Sequence, residues 1–334
     1  MGQGGYIFGC AGHVVTAAER AFFAATQPWG FILFARNVVD PDQLRRLTSD
    51  LRDAVGRDAP VLIDQEGGRV QRMRAPHWRE WLPPSEHVAL AGEQAERAMW
   101  LRYRLIAEEL RSVGIDVNCA PCADIAGPKT HPVLRNRCYG DTATRVTELA
   151  RAVAEGLMAG GVAPVIKHIP GHGRALVDSH LDLPRTDAPR AVLEAEDFAP
   201  FKALADLPMA MSAHIVFAAI DDLPATISAK MVGVIRDGIG FDGLLMTDDI
   251  SMQALSGNVA SRSHAALAAG CDMVLHCNGK LDEMRAVAEV AGPMSAAAQA
   301  RADAALAARE RGQPIDIAAA EAELRALMDG RAHV

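Results

Sequence analysis

The chain has 334 residues, of which 50% are hydrophobic, so it is long enough to bury one large α/β domain. Its formal net charge is −8 and its lysines and arginines are scattered, which excludes the basic stripe that a nucleic-acid backbone requires. No apolar run approaches the roughly 18 residues of a membrane span, and the N-terminus lacks the pattern of a signal peptide. We therefore expect a soluble, cytoplasmic protein without a nucleic-acid or membrane partner.

Short apolar runs, each bounded by Gly, Pro or Asp, recur eight times along the chain. They lie at 6–9, 30–36, 60–66, 114–121, 162–170, 207–215, 243–249 and 271–277. Their hydrophobicity is nearly continuous rather than alternating, which is typical of parallel strands that are buried on both faces. The runs therefore predict eight strands of a parallel sheet.

Amphipathic patterns predict helices between these strands. Asp40 and Pro41 supply an N-cap and a first-turn proline for one helix, and Ser228 opens another helix that closes on glycine. Further helices are predicted at about 94–113, 143–160, 188–205 and 259–269. Strands that alternate with helices indicate parallel pairing, and eight of them in a chain of this length predict a (β/α)₈ barrel. A doubly wound open sheet is the structural alternative, but no GxGxxG motif follows the first strands.

The alanine-rich segment at 281–330 predicts two or three helices that close the structure. No linker rich in Ser or Pro and no internal repeat divides the chain. We therefore predict a single domain over 1–334, and we expect the protein to be a monomer.

Polar side chains follow the apolar runs, at the points where barrel strands would end. They are Arg36, Asn37, Asp64, Glu66, Asp124, Lys167, His168, His214, Asp248, Asp249, His276 and Asn278. Catalytic groups of (β/α)₈ barrels gather at these ends, although a helix cap or a solvated turn is the simpler interpretation of Asp124, Asp249 and His276. Donors and acceptors without a dominating charge suit a neutral polyhydroxylated ligand. The sequence therefore indicates a small-molecule sugar substrate.

Glycoside hydrolysis needs one carboxylate at the anomeric carbon and a second group that protonates the departing oxygen. Asp248, in GLLMTDD, is the candidate for the first role. The stretch KHIPGHGRALVDSH at 167–180 offers the second, because Asp178 lies two residues before His180 and could favour its protonated imidazole. The glycines of this stretch would let it move over a bound substrate.

A metallohydrolase is the rival interpretation, in which His168, His172 and His180 join Asp248 around a divalent ion. A proline and a glycine separate His168 from His172, so the two residues cannot share one helix face. We therefore predict that no metal and no cofactor takes part, and that His172 braces the loop through hydrogen bonds.

The six cysteines include a CxxC pair, Cys119 and Cys122, within DVNCAPCAD. Such a pair can be half of a zinc site or a redox pair, but no second pair of ligands at finger spacing completes it. Buried, reduced thiols that pack as small apolar side chains are the simpler interpretation.

Several separated segments resemble family 3 glycoside hydrolases, in particular the small bacterial cytoplasmic β-N-acetylglucosaminidases of peptidoglycan recycling. The segments are GFILFARN at 30–37, LIDQEGGRVQR at 62–72, NRCYG at 136–140, KHIPGHG with DSH within 167–180, and GFDGLLMTDDISM at 240–252. The resemblance covers about residues 5–280. It implies a (β/α)₈ barrel and a retaining exo-hydrolase that releases N-acetylglucosamine from peptidoglycan fragments such as GlcNAc-anhydro-MurNAc peptides.

The resemblance also implies roles for single residues. Asp248 matches the nucleophile, while Asp178 and His180 match an acid/base dyad that replaces the carboxylic acid of most glycosidases. The residues that match holders of the terminal sugar's hydroxyls and acetamido group are Asp64, Arg72, Arg137, Lys167 and His168. Ile169 and the Cys138-Tyr139 pair depart from the family pattern without touching the proposed chemistry.

Two alternatives to the hydrolase remain open at this stage. A histidine acid/base lacks the negative charge that would repel phosphate, so phosphorolysis is a variant of the same enzyme. A non-catalytic sugar-binding barrel is the second alternative, although Asp248, Asp178 and His180 argue against it.

Overall fold

The computed structural model describes residues 2–176 and 183–328. The strands within these residues are β1 (Gly4–Gly9), β2 (Pro28–Leu33), β3 (Val61–Ile63), β4 (Val117–Asn118), β5 (Ala163–Ile169), β6 (Arg185–Thr186), β7 (Met209–Ser212), β8 (Val216–Phe217), β9 (Leu244–Met246) and β10 (Val274–His276). In the described part of the chain, eight of them form one parallel sheet in the order β10-β1-β2-β3-β4-β5-β7-β9. A parallel bridge between Met246 and Met273 joins its two ends. The predicted (β/α)₈ barrel is therefore confirmed.

Helices follow most of the barrel strands and form the outer ring. They are α1 (Ala17–Thr26), α2 (Pro41–Val55), α3 (Pro84–Ala91), α4 (Ala95–Ser112), α5 (Pro132–Arg135), α6 (Ala143–Ala159), α7 (Arg190–Ala195), α8 (Ala199–Ala203), α9 (Ala229–Gly233), α10 (Val259–Ala269), α11 (Leu281–Ala291), α12 (Ala296–Leu306) and α13 (Ile317–Leu327). The capping signals act as predicted: the side chains of Asp40 and Ser228 accept hydrogen bonds from the backbone N–H groups of Gln43 and Met231.

Two predicted helices differ from expectation. The segment predicted as one helix at 188–205 is split into α7 and α8, because Pro200 has no N–H for a continuous helix and restricts the backbone before it. After α9 the chain continues as a π-helix over Val234–Ile239, and it ends at Gly240 with φ 82°. The strands β6 and β8, which pair in parallel beside the barrel, were not predicted.

Two apolar clusters lie on opposite faces of the barrel strands. The smaller cluster draws on Leu62, Val165 and Met246, and it fills the barrel interior. The larger cluster draws on the alternate residues, such as Ile63, Ile166 and Leu245, and it packs under the helices. Because side chains alternate along a strand, the next inward positions after the interior cluster belong to Asp64, Lys167 and Asp248. The barrel therefore directs these three side chains to its mouth.

The opposite, N-terminal end of the barrel is covered by α12. Its Ala302 and Ala305 pack into the interior cluster, and Arg301 forms an ion pair with Asp272, just before β10. Farther along, α13 packs on α4, where Arg97 contacts Glu323. Among the described residues, no helix combines the length and the apolar character needed to cross a bilayer.

Candidate active site

A chain of charged side chains lines the β3 and β5 side of the barrel mouth. The Lys167 ammonium lies 2.8 Å from Asp64 Oδ1 and 2.6 Å from Glu66 Oε1. Arg72 reaches the other oxygen of Asp64, Oδ2, at 3.0 Å. Arg137 donates from Nε to Oε2 of Glu66 at 2.9 Å and from Nη2 to Oε1 at 2.7 Å. We call this set, Arg72, Asp64, Lys167, Glu66 and Arg137, the charged chain.

Mutual pairing fixes the ionisation of the charged chain. Burial by itself would raise the pKa of both carboxyls, but Lys167 with Arg72 holds the pKa of Asp64 well below its usual range. Arg137 and Lys167 lower the pKa of Glu66 to about 2 against the same penalty. Burial would likewise lower the pKa of Lys167, and the two carboxylates raise it instead. All members are therefore charged at neutral pH, with three positive and two negative charges.

Neighbouring groups hold the ends of the charged chain in place. The Arg72 guanidinium lies 5.2 Å from the ring centroid of Phe34, which also carries Arg36 at 5.0 Å. Arg102 donates to the backbone carbonyl of Glu66. Gly67 has a φ of +112°, and an added Cβ there would lie 2.6 Å from the backbone oxygen of Leu82 as well as against Arg102, so only glycine fits at this position. These contacts organise the side chains before any ligand arrives.

A second group of bonds centres on Asp124, which follows β4. Its Oδ2 lies 2.7 Å from Nδ1 of His168, and its Oδ1 accepts the backbone N–H of His172 at 2.6 Å. Burial would raise the pKa of Asp124, but the contact with His168 holds it well below its usual range. The interpretation of Asp124 as a helix cap or solvated turn is therefore wrong: this fully buried carboxylate orients His168 and braces the start of the loop.

Asp248 follows β9 and lies in a part of the mouth with a different character. Its Oδ1 accepts the backbone N–H of Asp249 at 2.7 Å. Nearby, His214 contacts the Thr226 hydroxyl through Nδ1 at 2.7 Å and the Asp249 carbonyl through Nε2 at 3.1 Å. Burial lowers the pKa of His214, although the charge of Asp248 opposes the shift. A neutral imidazole with its proton on Nε2 satisfies both contacts.

The other sequence candidates for simple turn roles form local bonds. Asp249 accepts the N–H groups of Ser251 and Cys277, at 3.1 Å each, and so shapes the turn after β9. His276 lies 3.0 Å from Glu283 through Nε2.

Asp178 and His180, the candidate acid/base dyad, lie outside the described residues. The described chain on either side makes specific contacts. Before them, an added Cβ at Gly173 would lie 2.0 Å from the carbonyl oxygen of Ile125, so this glycine permits a close backbone approach. Gly173 therefore has a packing role, and movement of the loop over a substrate stays a prediction. After them, Arg185 and Thr186 pair with Val216 and Phe217.

Of the residues in the rival metal arrangement, His180 lies outside the described part of the chain. His168 and His172 do lie near each other, with their ring centroids 5.5 Å apart. Within 2–176 and 183–328, however, the donor side chains close enough to share one ion are Cys122, Asp124 and His168. The rival grouping of His168 and His172 with Asp248 is not among them.

Sequence reasoning missed the roles of Glu66, Asp124 and Phe34. Glu66 had a signal, because it stands two residues after Asp64 in LIDQE and strand alternation places both on the same face. Asp124 had only its position after β4. Phe34 carried no signal, since its contact with Arg72 depends on the meeting of two loops.

Comparison with known proteins places the chain in a class. Residues 13–308 match the family described as glycosyl hydrolase family 3 N terminal domain. A β-hexosaminidase from Methylococcus capsulatus is 40% identical over 283 residues, with 81% of this chain and 82% of the relative covered. One from Alkalilimnicola ehrlichii is 39% identical over 284 residues, with coverages of 82% and 81%.

Solved structures agree with this result. NagZ from Neisseria gonorrhoeae, in complex with N-trifluoroacetyl-D-glucosamine, superposes with a TM-score of 0.87 at 28% sequence identity, covering 98% of this chain and 99% of its own. The chain therefore belongs to glycosyl hydrolase family 3. Within that family its activity is that of a β-N-acetylhexosaminidase.

Proposed function

We propose that the enzyme is a retaining exo-β-N-acetylglucosaminidase that removes the terminal N-acetylglucosamine of peptidoglycan fragments, such as GlcNAc-anhydro-MurNAc peptides, in cytoplasmic cell-wall recycling. The observation that carries the proposal is the meeting of the charged chain and Asp248 at one barrel mouth. The first supplies fixed donors and acceptors for a sugar, and the second supplies a carboxylate at a strand end.

In this proposal the charged chain and His168 hold the terminal sugar. Lys167 and Arg72 fix both oxygens of Asp64, so that its remaining lone pairs can accept sugar hydroxyls without a search among rotamers. Arg137, fixed by Glu66, offers its remaining N–H groups to the sugar or its acetamido carbonyl. Asp124 leaves His168 only its Nε2 for a ligand.

The proposed chemistry is a double displacement. Asp248 attacks the anomeric carbon and forms a glycosyl ester, while His180, oriented and charged by Asp178, protonates the departing oxygen. The same imidazole then removes a proton from water, which attacks the anomeric carbon and releases Asp248. Two inversions restore the β-configuration.

The experiment that tests this proposal is incubation with a chromogenic N-acetyl-β-glucosaminide and with a purified muropeptide, in water and in phosphate buffer. Release of N-acetylglucosamine as the β-anomer from both substrates is expected, and a slow-reacting fluoro-sugar should label the peptide that contains Asp248. An α-anomer as first product would exclude the double displacement. Sugar phosphate formed in phosphate buffer would favour phosphorolysis, and release from the chromogenic substrate alone would exclude the muropeptide.

A further inference from the structure

A thiol, a carboxylate and an imidazole lie close together in the buried layer beside the charged chain. The ligand atoms of Cys122, Asp124 and His168 all lie within 4.8 Å of one another. Cys122 Sγ is 3.4 Å from Asp124 Oδ2, and that oxygen is 2.7 Å from His168 Nδ1. All three residues are buried, and His168, at 5% exposure, is the member nearest to solvent. The proposed double displacement uses neither Cys122 nor the two hydrogens that lie between these atoms.

We propose that Cys122, Asp124 and His168 form a binding site for Zn²⁺, and that zinc bound there inhibits the hydrolase. Cysteine sulfur, histidine nitrogen and carboxylate oxygen are the ligands that zinc takes in proteins, at about 2.3, 2.0 and 2.0 Å. At these bond lengths, tetrahedral geometry needs ligand atoms roughly 3.3–3.6 Å apart. The spacing between Cys122 Sγ and Asp124 Oδ2 already meets this requirement, and the contact between Asp124 and His168 must widen by less than an ångström.

Exchange of protons for the ion limits the charge that zinc adds to the buried site. Asp124 accepts from both of its neighbours, so one hydrogen stands on the thiol of Cys122 and one on Nδ1 of His168. Zn²⁺ would displace the thiol hydrogen as a proton, while the imidazole hydrogen would move from Nδ1 to Nε2. One proton therefore leaves as two positive charges enter. Water would fill the fourth position of the ion, and it could release a second proton because zinc lowers the pKa of a bound water to about 7.

Inhibition follows from the partners of the same residues. Asp124 also accepts the backbone N–H of His172, and His168 belongs to the proposed sugar-binding set. A metal on Nδ1 obliges the remaining nitrogen of His168 to carry a hydrogen, so this side chain could no longer accept a hydrogen bond from the sugar. This inhibitory part rests on the proposed function, whereas metal binding itself does not.

The test uses Co²⁺ as a spectroscopic probe and Zn²⁺ as an inhibitor. The full-length enzyme titrated with cobalt chloride should develop a thiolate-to-cobalt charge-transfer band, and zinc chloride should remove that band. In Cys122→Ser, which keeps a hydroxyl donor toward Asp124, the band should be lost. The zinc concentration for half-inhibition should rise at least about 10-fold. The matched control is Cys119→Ala, the other thiol of the CxxC motif, whose side chain packs in the barrel interior. This variant should keep both the band and the inhibition.

Each result decides the proposal. Absence of the band in the unaltered enzyme, or its persistence in Cys122→Ser, overturns the site. Zinc inhibition that is unchanged in Cys122→Ser places inhibitory zinc elsewhere in the protein and overturns the inhibitory link. If Cys122→Ser does not fold, Cys122→Ala provides the same comparison. Because the cobalt band needs no turnover, an enzyme that cleaves no N-acetyl-β-glucosaminide would contradict the proposed function and still leave the metal site tested.

Discussion

The two sides of the barrel mouth differ in the groups that their side chains contact. On the β3 and β5 side, Asp64 and Glu66 are ionised and each contacts two cationic groups. On the β7 and β9 side, the imidazole of His214 contacts two uncharged groups, the hydroxyl of Thr226 and the backbone carbonyl of Asp249. The first arrangement fixes charged side chains through ion pairs, and the second fixes an imidazole through bonds to uncharged groups.

This difference has an energetic consequence. A buried ion pair is costly to break, because the partner that remains is left with an uncompensated charge. Substitution in the charged chain should therefore reduce stability and binding together. Substitution of Asp248, the proposed nucleophile, should reduce turnover above all. The four predictions below separate these two kinds of residue.

The largest effect is expected at Asp248. In Asp248→Asn, kcat/KM for a chromogenic N-acetyl-β-glucosaminide should fall by at least about 10⁴-fold, because the amide cannot form the glycosyl ester. The melting temperature, measured on the same variant, separates loss of chemistry from loss of folding. Asp237→Asn makes the same chemical change at an exposed position, so it is the control for purification and assay. Retention of substantial activity would show that another carboxylate attacks the sugar.

The acid/base pair should show an effect that depends on the leaving group. His180→Ala and Asp178→Ala should lower kcat/KM for a disaccharide by ~10²–10⁴-fold, the usual contribution of general acid catalysis. A nitrophenyl substrate, whose leaving group needs little protonation, should lose far less in its departure step. Since the same histidine must activate water, the glycosyl-enzyme should accumulate and a burst should appear.

Comparison of the two substrates decides this prediction. Equal losses on nitrophenyl and disaccharide substrates would mean that His180 supports the loop or binds sugar. The acid would then have to be sought at Glu66 or His214. Of these two, Glu66 is a poor candidate, because Arg137 and Lys167 lower its pKa to about 2 against the effect of burial and so keep it ionised.

The charged chain should respond through stability as well as activity. Asp64→Asn leaves Lys167 and Arg72 without their shared carboxylate, so the free energy of unfolding should drop by about 3–5 kcal/mol. KM should rise too, because both cations lose their orientation. The matched control is Asp206→Asn, which breaks an exposed pair with Arg151 and should cost less than about 1 kcal/mol. Urea unfolding of both variants measures the difference, and equal costs would contradict the comparison of the two sides.

Most of the barrel could be predicted from the sequence, because continuous apolar runs mark strands that are buried on both faces. The strands that escaped prediction, β6 and β8, have two residues each and no apolar run of their own. The split between α7 and α8 and the π-helix after α9 also escaped, since an amphipathic pattern predicts a helical face but neither a break nor a change of helical pitch.

The candidate site was predictable where strand ends alone define it. Asp64, Lys167 and Asp248 follow from the end of an apolar run, and Glu66 was available from alternation. Asp124 could not be assigned, because its contact with His168 joins residues 44 positions apart and depends on the register of β4 against β5. The pairing of Arg137 with Glu66, 71 positions apart, is a contact of the same kind.

The smallest effect is expected in the dependence of stability on pH. This single measurement compares a residue from each side of the mouth. Burial lowers the pKa of His214 below its usual 6.5, and it lowers that of His172 to about 4. As the pH falls below 6.5, the unfolded chain therefore binds protons that the folded state does not bind, and stability decreases by ~1.4 kcal/mol per pH unit for each group.

Glu66 acts at lower pH. Its pKa is 4.5 in the unfolded chain and about 2 in the folded state, so its contribution to stability is complete above pH 4.5 and is lost below it. We expect His214→Gln to flatten the curve below about pH 6.5 and to keep the loss of the Glu66 contribution below pH 4.5. Glu66→Gln should remove that loss and leave the upper part of the curve unchanged. Unfolding free energies measured across this pH range provide the test, and a His214→Gln curve parallel to that of the unaltered enzyme above pH 4.5 would show that the imidazole is not held neutral.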